Sequence, residues 1–133
     1  MFRQRIAVFD VYEFVVDSIC GTLEGAGYET VGCLDPWAMY HFDFSAVTGV
    51  ITEEWLPAIE EEDLARRIEQ GRPGTPILFT SWAWNYRERP LLAGRCLLKR
   101  FTKMQLLWAT LGVFGPWGER VPPKRSTQPL FVG

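Results

Sequence analysis

The chain has 133 residues, of which 47% are apolar and 23% charged, and its formal net charge is −2. This length and composition describe a single globular domain and exclude a chain disordered throughout. The weak charge imbalance argues against nucleic-acid binding through phosphate neutralisation, and no apolar run approaches the roughly 20 residues that cross a bilayer, so neither nucleic acid nor membrane is an expected partner.

Short apolar runs alternate with helical patterns along the first half of the chain. Continuous apolar runs indicate strands covered on both faces, whereas apolar residues three and four positions apart indicate one face of a helix. The predicted elements are a strand at residues 6–9, a helix with a stripe of Val16, Ile19, Cys20 and Leu23, a strand at 28–31, and a brief helix capped by Asp35 with Pro36 at its first position.

The same alternation continues in the second half. A strand at residues 46–52 precedes an acidic run at 60–63, which suits the start of a helix because acids there complement the helix dipole. Strands follow at 77–80 and 97–98, and Thr102 caps a last helix in which Met104, Leu107 and Leu111 share a face. We therefore expect an α/β domain at residues 1–114 and, because residues 115–133 hold four prolines and few apolar residues, an irregular Pro-rich tail.

Four polar residues close the predicted strands, namely Asp10, Glu53, Ser81 and Lys99. Strands alternating with helices form a parallel sheet, and ligands bind in the crevice beyond the carboxyl ends of such strands. The four side chains therefore form one candidate site, although strand ends that are merely polar would give a similar pattern.

The segments RIAVFD (5–10), GVITE (49–53), TPILFTS (75–81) and LLKRFT (97–102) together resemble the receiver domain of bacterial two-component response regulators. The resemblance covers residues 5 to about 113 and rests on the order and spacing of weak motifs. It implies a doubly wound, flavodoxin-like five-stranded parallel sheet in the order 2-1-3-4-5. It also implies phosphoryl transfer from a phosphohistidine to an aspartate, helped by Mg²⁺, a lysine and a hydroxyl.

The chain departs from that chemistry at the phosphorylation site. Glu53 stands at the phosphoacceptor position in place of aspartate, and Val11 stands where a second metal-binding acid is expected, with Glu13 as a less favoured substitute. We expect a degenerate site that holds no resident metal, with at most weak Mg²⁺ binding by Asp10 and Glu53. Lys99 is retained, and we predict that it forms a direct ion pair with Glu53.

Further departures fall on the segments that transmit the signal in the family. Cys96 replaces a switching aromatic residue, and Arg100 replaces a proline, so we expect a trans Lys99–Arg100 bond where the family has a cis one. The stretch between Ser81 and Lys99 is short and contains Pro90, which predicts a shortened or missing fourth helix.

The cysteine pattern and the N-terminal sequence indicate which cellular compartment to expect. Cys20, Cys33 and Cys96 are far apart and accompanied by one histidine, so neither a disulfide framework nor a zinc site is expected, and three buried thiols are the simplest interpretation. Because no signal-peptide pattern is present, we expect a cytoplasmic protein.

The favoured interpretation is a stand-alone degenerate receiver that is not an enzyme, needs no cofactor and acts by phosphorylation-independent protein–protein interaction. Its expected partner is a histidine kinase or another signalling protein, with a homodimer as a further option. One alternative is a receiver that accepts a phosphoryl group from a histidine kinase with Mg²⁺. The other is a small-ligand-binding module at a pocket rimmed by Trp55, Trp82 and Trp84.

Overall fold

The computed structural model describes residues 3–57, 59–82 and 95–116, together with the backbone of 129–131. Strands and helices alternate along these ranges, as the sequence pattern predicts. In chain order they are β1 (Arg5–Phe9), α1 (Glu13–Gly25), β2 (Glu29–Cys33), α2 (Pro36–Tyr40), a 3-10 helix (Phe44–Ala46), β3 (Gly49–Glu53), α3 (Glu61–Gly71), β4 (Ile77–Trp82), β5 (Arg95–Lys99), α4 (Lys103–Phe114) and β6 (Pro129–Phe131).

The strands form one parallel sheet in the order β2-β1-β3-β4-β5-β6. The predicted α/β class and the predicted order 2-1-3-4-5 are therefore confirmed for the first five strands. The sixth strand was not predicted, because a three-residue strand that starts with proline carries almost no hydrophobic pattern. It pairs with β5, so the outer edge of β5 is not open over these residues.

Helices cover both faces of the sheet, which makes it doubly wound. One core layer joins the sheet to α2, α3 and the 3-10 helix, and includes Phe9, Met39, Phe44 and Ile68. The other joins it to α1 and α4, and includes Val8, Ile19, Ile51 and Leu106. Successive residues of each strand point to alternate layers, as the two-residue period of a strand requires.

Helix α4 begins as predicted and turns a different face inward. Thr102 and Gln105 form a capping box at its start. The face that Met104 and Leu111 share is turned to solvent, since these side chains are 62% and 46% exposed. The buried residues are Leu106, Ala109, Thr110, Val113 and Phe114. Because the helix is apolar on almost every side, its apolar spacing does not identify the inward face.

A neutral polar cluster holds the end of α4 against the amino edge of the sheet. The Gln4 side-chain amide donates to the carbonyl oxygens of Phe114 and Pro116, the latter at 3.0 Å, and the Tyr28 hydroxyl donates to the Gly115 carbonyl oxygen. The Thr48 hydroxyl donates to Gln4 Oε1 at 3.3 Å. Burial raises the pKa of Tyr28 to about 12, so the phenol stays a donor at ordinary pH.

Several local predictions are corrected. Residues 44–46 form the 3-10 helix, so β3 starts at Gly49, three residues later than predicted.

Of the three free cysteines only Cys96 is buried, while Cys20 and Cys33 are partly exposed. No helix within the described ranges is both long and apolar enough to cross a membrane. The predicted shortening of the fourth helix and the position of Trp84 lie outside the described residues.

Candidate functional site

Three strands bring charged side chains to the carboxyl edge of the sheet. Asp10 follows the last residue of β1, Glu53 ends β3 and Lys99 ends β5. By strand alternation all three belong to the sheet face that α1 and α4 cover. Parallel strands end at a common edge, so residues far apart in the sequence meet there.

The Lys99 ammonium binds both carboxylates. Its Nζ lies 2.8 Å from Asp10 Oδ2 and also donates to Glu53 Oε2. The three residues are at most 5% exposed. The other oxygens accept backbone bonds, Asp10 Oδ1 from Tyr12 N at 3.0 Å and Glu53 Oε1 from Trp55 N at 3.4 Å. The predicted direct Lys99–Glu53 ion pair is confirmed, and Asp10 extends it to a triad.

The electrostatics of this triad are unbalanced, because two carboxylates share one ammonium. Burial raises the pKa of the Glu53 carboxyl above its ordinary value, and the charge of Asp10 acts in the same direction. The hydrogen bond and positive charge of Lys99 oppose that rise without cancelling it. The positive charge of Lys99 is therefore fully used in neutralising Asp10 and Glu53.

The end of β4 lies between β3 and β5 and places an indole beside the Lys99 ammonium. Trp82 pairs in register with Lys99, and the centroid of its ring is 5.0 Å from Lys99 Nζ, within cation–π range. Sequence reasoning placed Trp82 on a pocket rim and did not anticipate this contact. The signal available was the position of Trp82, one residue beyond the polar end of the predicted strand.

Ser81 differs from the other predicted site residues. Its hydroxyl donates to the Trp82 carbonyl oxygen at 3.5 Å and makes no hydrogen bond to Asp10, Glu53 or Lys99 in the described part of the chain. The register partner of Glu53 is Thr80, whose buried hydroxyl oxygen has no hydrogen-bond partner among the described residues. Sequence reasoning missed Thr80, which the period of β4 places on the face of Glu53.

The donor set at this edge does not fit a resident magnesium ion. Mg²⁺ requires near-octahedral coordination by oxygen atoms. Asp10 and Glu53 are both bound to Lys99, the side chain of Val11 supplies no oxygen, and Glu13 is exposed at the start of α1. Within the described ranges no three His, Cys, Asp or Glu side chains are grouped so as to hold a metal.

Two altered positions lie on β5 and directly after it. Cys96 is fully buried in the core layer shared with Phe79. The Lys99–Arg100 peptide bond is cis, so the predicted trans bond is wrong. That prediction used the preference of an isolated peptide bond, whereas this bond lies between Lys99 of the triad and Thr102, which caps α4.

Exposed apolar side chains follow two of the strands that carry the triad. Val11, Tyr12 and Phe14 follow β1, and Trp55 follows β3, and each is at least 36% exposed. Trp55 and Trp82 thus lie at the carboxyl edge, while the third member of the predicted rim, Trp84, is outside the described residues.

No protein-family model matches the chain, and no curated protein matches it either. Solved structures do resemble it. A response regulator receiver protein from Sinorhizobium medicae is 23% identical over 80% of this chain and 90% of its own, with a TM-score of 0.65. The chemotaxis protein CheY4 from Vibrio cholerae is 20% identical over 84% and 98% of the two chains, with a TM-score of 0.66. The BeF3-activated DrrB receiver domain is 20% identical over 80% and 93%, with a TM-score of 0.68. At these identities the likeness concerns the fold, and the chain has the fold of the response regulator receiver domain.

Proposed function

We propose that this chain is a degenerate receiver domain that acts in two-component signalling through protein contacts and without phosphorylation. It is not an enzyme in this proposal, it works in the cytoplasm, and its partner is a histidine kinase or another signalling protein. The observation that carries the proposal is the bonding of Lys99 to both Asp10 and Glu53. The lysine that would receive phosphoryl oxygens is already occupied by the carboxylate at the acceptor position.

The acceptor itself is poorly suited to attack. Glu53 is one methylene longer than aspartate, which moves its oxygens by roughly 1.5 Å. A misplacement of about 1 Å can lower the rate of a positioned reaction roughly a hundredfold. Phosphoryl transfer depends almost entirely on positioning and charge neutralisation, so it is sensitive to this change and to the unsuitable metal-binding donors.

The contact of Trp82 with Lys99 also favours the closed triad. The ring of Trp82 lies beside the Lys99 ammonium, at the end of β4, which runs between the strands of Glu53 and Lys99. An incoming phosphoryl group would have to break the Lys99–Glu53 bond and take the ammonium away from this ring. The triad therefore favours one permanent state, in which the Glu53 carboxylate stands in for part of the charge of a phosphoryl group.

The surroundings of the triad favour protein partners. Phe14 and Trp55 are 65% and 54% exposed at the carboxyl edge. Exposed apolar side chains at one edge of a domain are typical of interaction surfaces, and aromatic residues are enriched at the centres of interfaces. A homodimer is an alternative partner, but pairing through the edge of β5 is disfavoured because β6 lies there.

Intact-mass analysis after incubation with acetyl phosphate and Mg²⁺ tests the proposal. We expect the wild-type chain to gain no phosphoryl mass. A matched variant, Val11→Asp/Glu53→Asp/Trp82→Ala, restores the acids and opens the site, and we expect it to gain one phosphoryl group. A stable phosphoryl adduct on the wild-type chain that disappears in Glu53→Gln would instead support the phosphorylatable alternative.

A further inference from the structure

A small cavity opens beside the triad, between the start of α1, the end of β4 and the loop before α4. Its volume is about 130 Å³, and its walls include Phe14, Ser18, Trp82, Lys99, Arg100 and Phe101. We propose that this cavity binds a small aromatic monocarboxylate, with the ring inside and the carboxylate on Arg100. The proposal goes beyond the signalling function and does not depend on it.

The size of the cavity limits the ligand to one ring. An apolar cavity of about 150 Å³ holds a benzene molecule, whereas sites for drug-sized ligands span about 300–1,000 Å³. At about 130 Å³ the cavity therefore fits a single six-membered ring with its substituent directed outward. This cavity is not the pocket that the sequence predicted. Of the predicted rim residues that the structure describes, Trp82 lines the cavity and Trp55 does not.

The walls favour an aromatic ring. Phe14, Trp82 and Phe101 contribute three aromatic side chains from three different segments of the chain. Aromatic pairs in offset or edge-to-face arrangements gain more than their buried area alone provides. Phe14 is 65% exposed although it lines the cavity, so a bound ring would cover apolar surface that now contacts water.

The charges fix the orientation of the ligand. On the inner side Lys99 is bound by Asp10 and Glu53, so that side offers no free positive charge and would repel a carboxylate. Arg100 is exposed, and none of the ion pairs among the described residues includes it. Its planar guanidinium matches a carboxylate through two parallel hydrogen bonds. The carboxylate therefore faces outward to Arg100, and the ring faces inward.

Titration of the ¹⁵N-labelled full chain with benzoate, benzyl alcohol and benzylamine tests this site. We expect benzoate to give saturable amide shifts at Ser18, Arg100 and Phe101 with a Kd of about 1 mM, as suits a ligand of this size. Benzyl alcohol should bind at least about tenfold more weakly, because it lacks the charge that Arg100 recognises, and benzylamine should not bind.

Variants separate binding in the cavity from non-specific effects. Arg100→Gln should weaken benzoate about tenfold and leave benzyl alcohol unchanged. Ser18→Leu, which fills the cavity, should abolish both while the rest of the spectrum stays the same. Arg66→Gln, which alters an exposed arginine on α3 outside the cavity lining, should change neither.

The proposal is overturned if benzoate produces no saturable shift up to about 20 mM, if Arg100→Gln leaves its affinity unchanged, or if benzyl alcohol binds as tightly as benzoate. None of these outcomes alters the acetyl phosphate experiment, so the two proposals fail independently.

Discussion

Two buried polar clusters lie at opposite edges of the same sheet. At the carboxyl edge, Asp10, Glu53 and Lys99 form the charged triad. At the amino edge, Gln4, Tyr28 and Thr48 form a neutral cluster that bonds the backbone at the end of α4. Both clusters join segments that are distant in sequence, but they differ in how they affect the free energy of folding.

The neutral cluster satisfies carbonyl groups that a helix end leaves without partners, so its role is structural. In the triad, by contrast, the charges that are paired belong to the buried side chains themselves. Removing these charges from water costs desolvation energy, and the attraction between them offsets only part of that cost. A cluster that adds little net stability and occupies the ligand-binding edge of the sheet is better explained by function than by folding.

Removing the central charge of the triad should give the largest effect. Lys99→Met leaves two carboxylates facing each other in the interior and should lower the free energy of unfolding by about 3–5 kcal/mol at pH 7. Urea denaturation measures the loss, with Lys103→Met at the exposed start of α4 as control. A loss below about 1 kcal/mol would mean that the triad behaves like a surface ion pair and would contradict its buried character.

Overpacking tests the amino edge. A Cβ added at Gly49 would meet the Phe114 ring at 2.5 Å and Ile6 at 3.0 Å, so Gly49→Ala should destabilise by about 1–3 kcal/mol. Gly112→Ala, on α4 with no atom within 4 Å of the new Cβ, should stabilise by up to about 1 kcal/mol through helix propensity. Thermal denaturation of both variants should give opposite signs, and equal signs would show that α4 does not pack closely on β3.

A smaller loss is expected at Tyr28. Tyr28→Phe removes the hydrogen bond to the Gly115 carbonyl oxygen and should lower the free energy of unfolding by about 1 kcal/mol. Its phenol has a pKa of about 12, so ultraviolet titration of the wild type should show one tyrosine ionising near that pH that Tyr28→Phe lacks. Identical titration curves would place Tyr28 in water.

The pH dependence of Glu53 should be the subtlest effect. Its pKa is raised on folding, so the folded state holds its proton more tightly than the unfolded state. The contribution of Glu53 to the free energy of unfolding is therefore complete at pH values below the pKa of Glu53 in the unfolded state. It is lost as the pH rises from there through the higher pKa of Glu53 in the folded state. The stability of the wild type relative to Glu53→Gln should fall over that interval, as denaturation at several pH values can measure. A relative stability that rises over it would contradict a raised pKa.

The site was predictable where it depends on the periodicity of strands. Asp10, Glu53 and Lys99 each end an apolar run, and a parallel sheet brings such ends together. Thr80 was within reach of the same reasoning, since the register of β4 and β3 decides which hydroxyl faces Glu53.

Other features were set by tertiary contacts. The inward face of α4 is ambiguous in a helix apolar on nearly every side, and β6 is too short to give a pattern. The cis Lys99–Arg100 bond runs against the preference of an isolated peptide. The position of Trp82 over Lys99 follows from the pairing of β4 with β5, which the sequence does not specify.

The central claim is that Lys99 is held by the protein's own carboxylates, so the edge offers no free phosphoryl site. Amide spectra of the ¹⁵N-labelled chain, recorded before and after addition of Mg²⁺ with beryllium trifluoride as a phosphoryl analogue, test this directly. We predict that the signals of Glu53, Ser81 and Lys99 do not move. Saturable shifts at these residues would show that the triad opens for a phosphoryl group and would contradict the account.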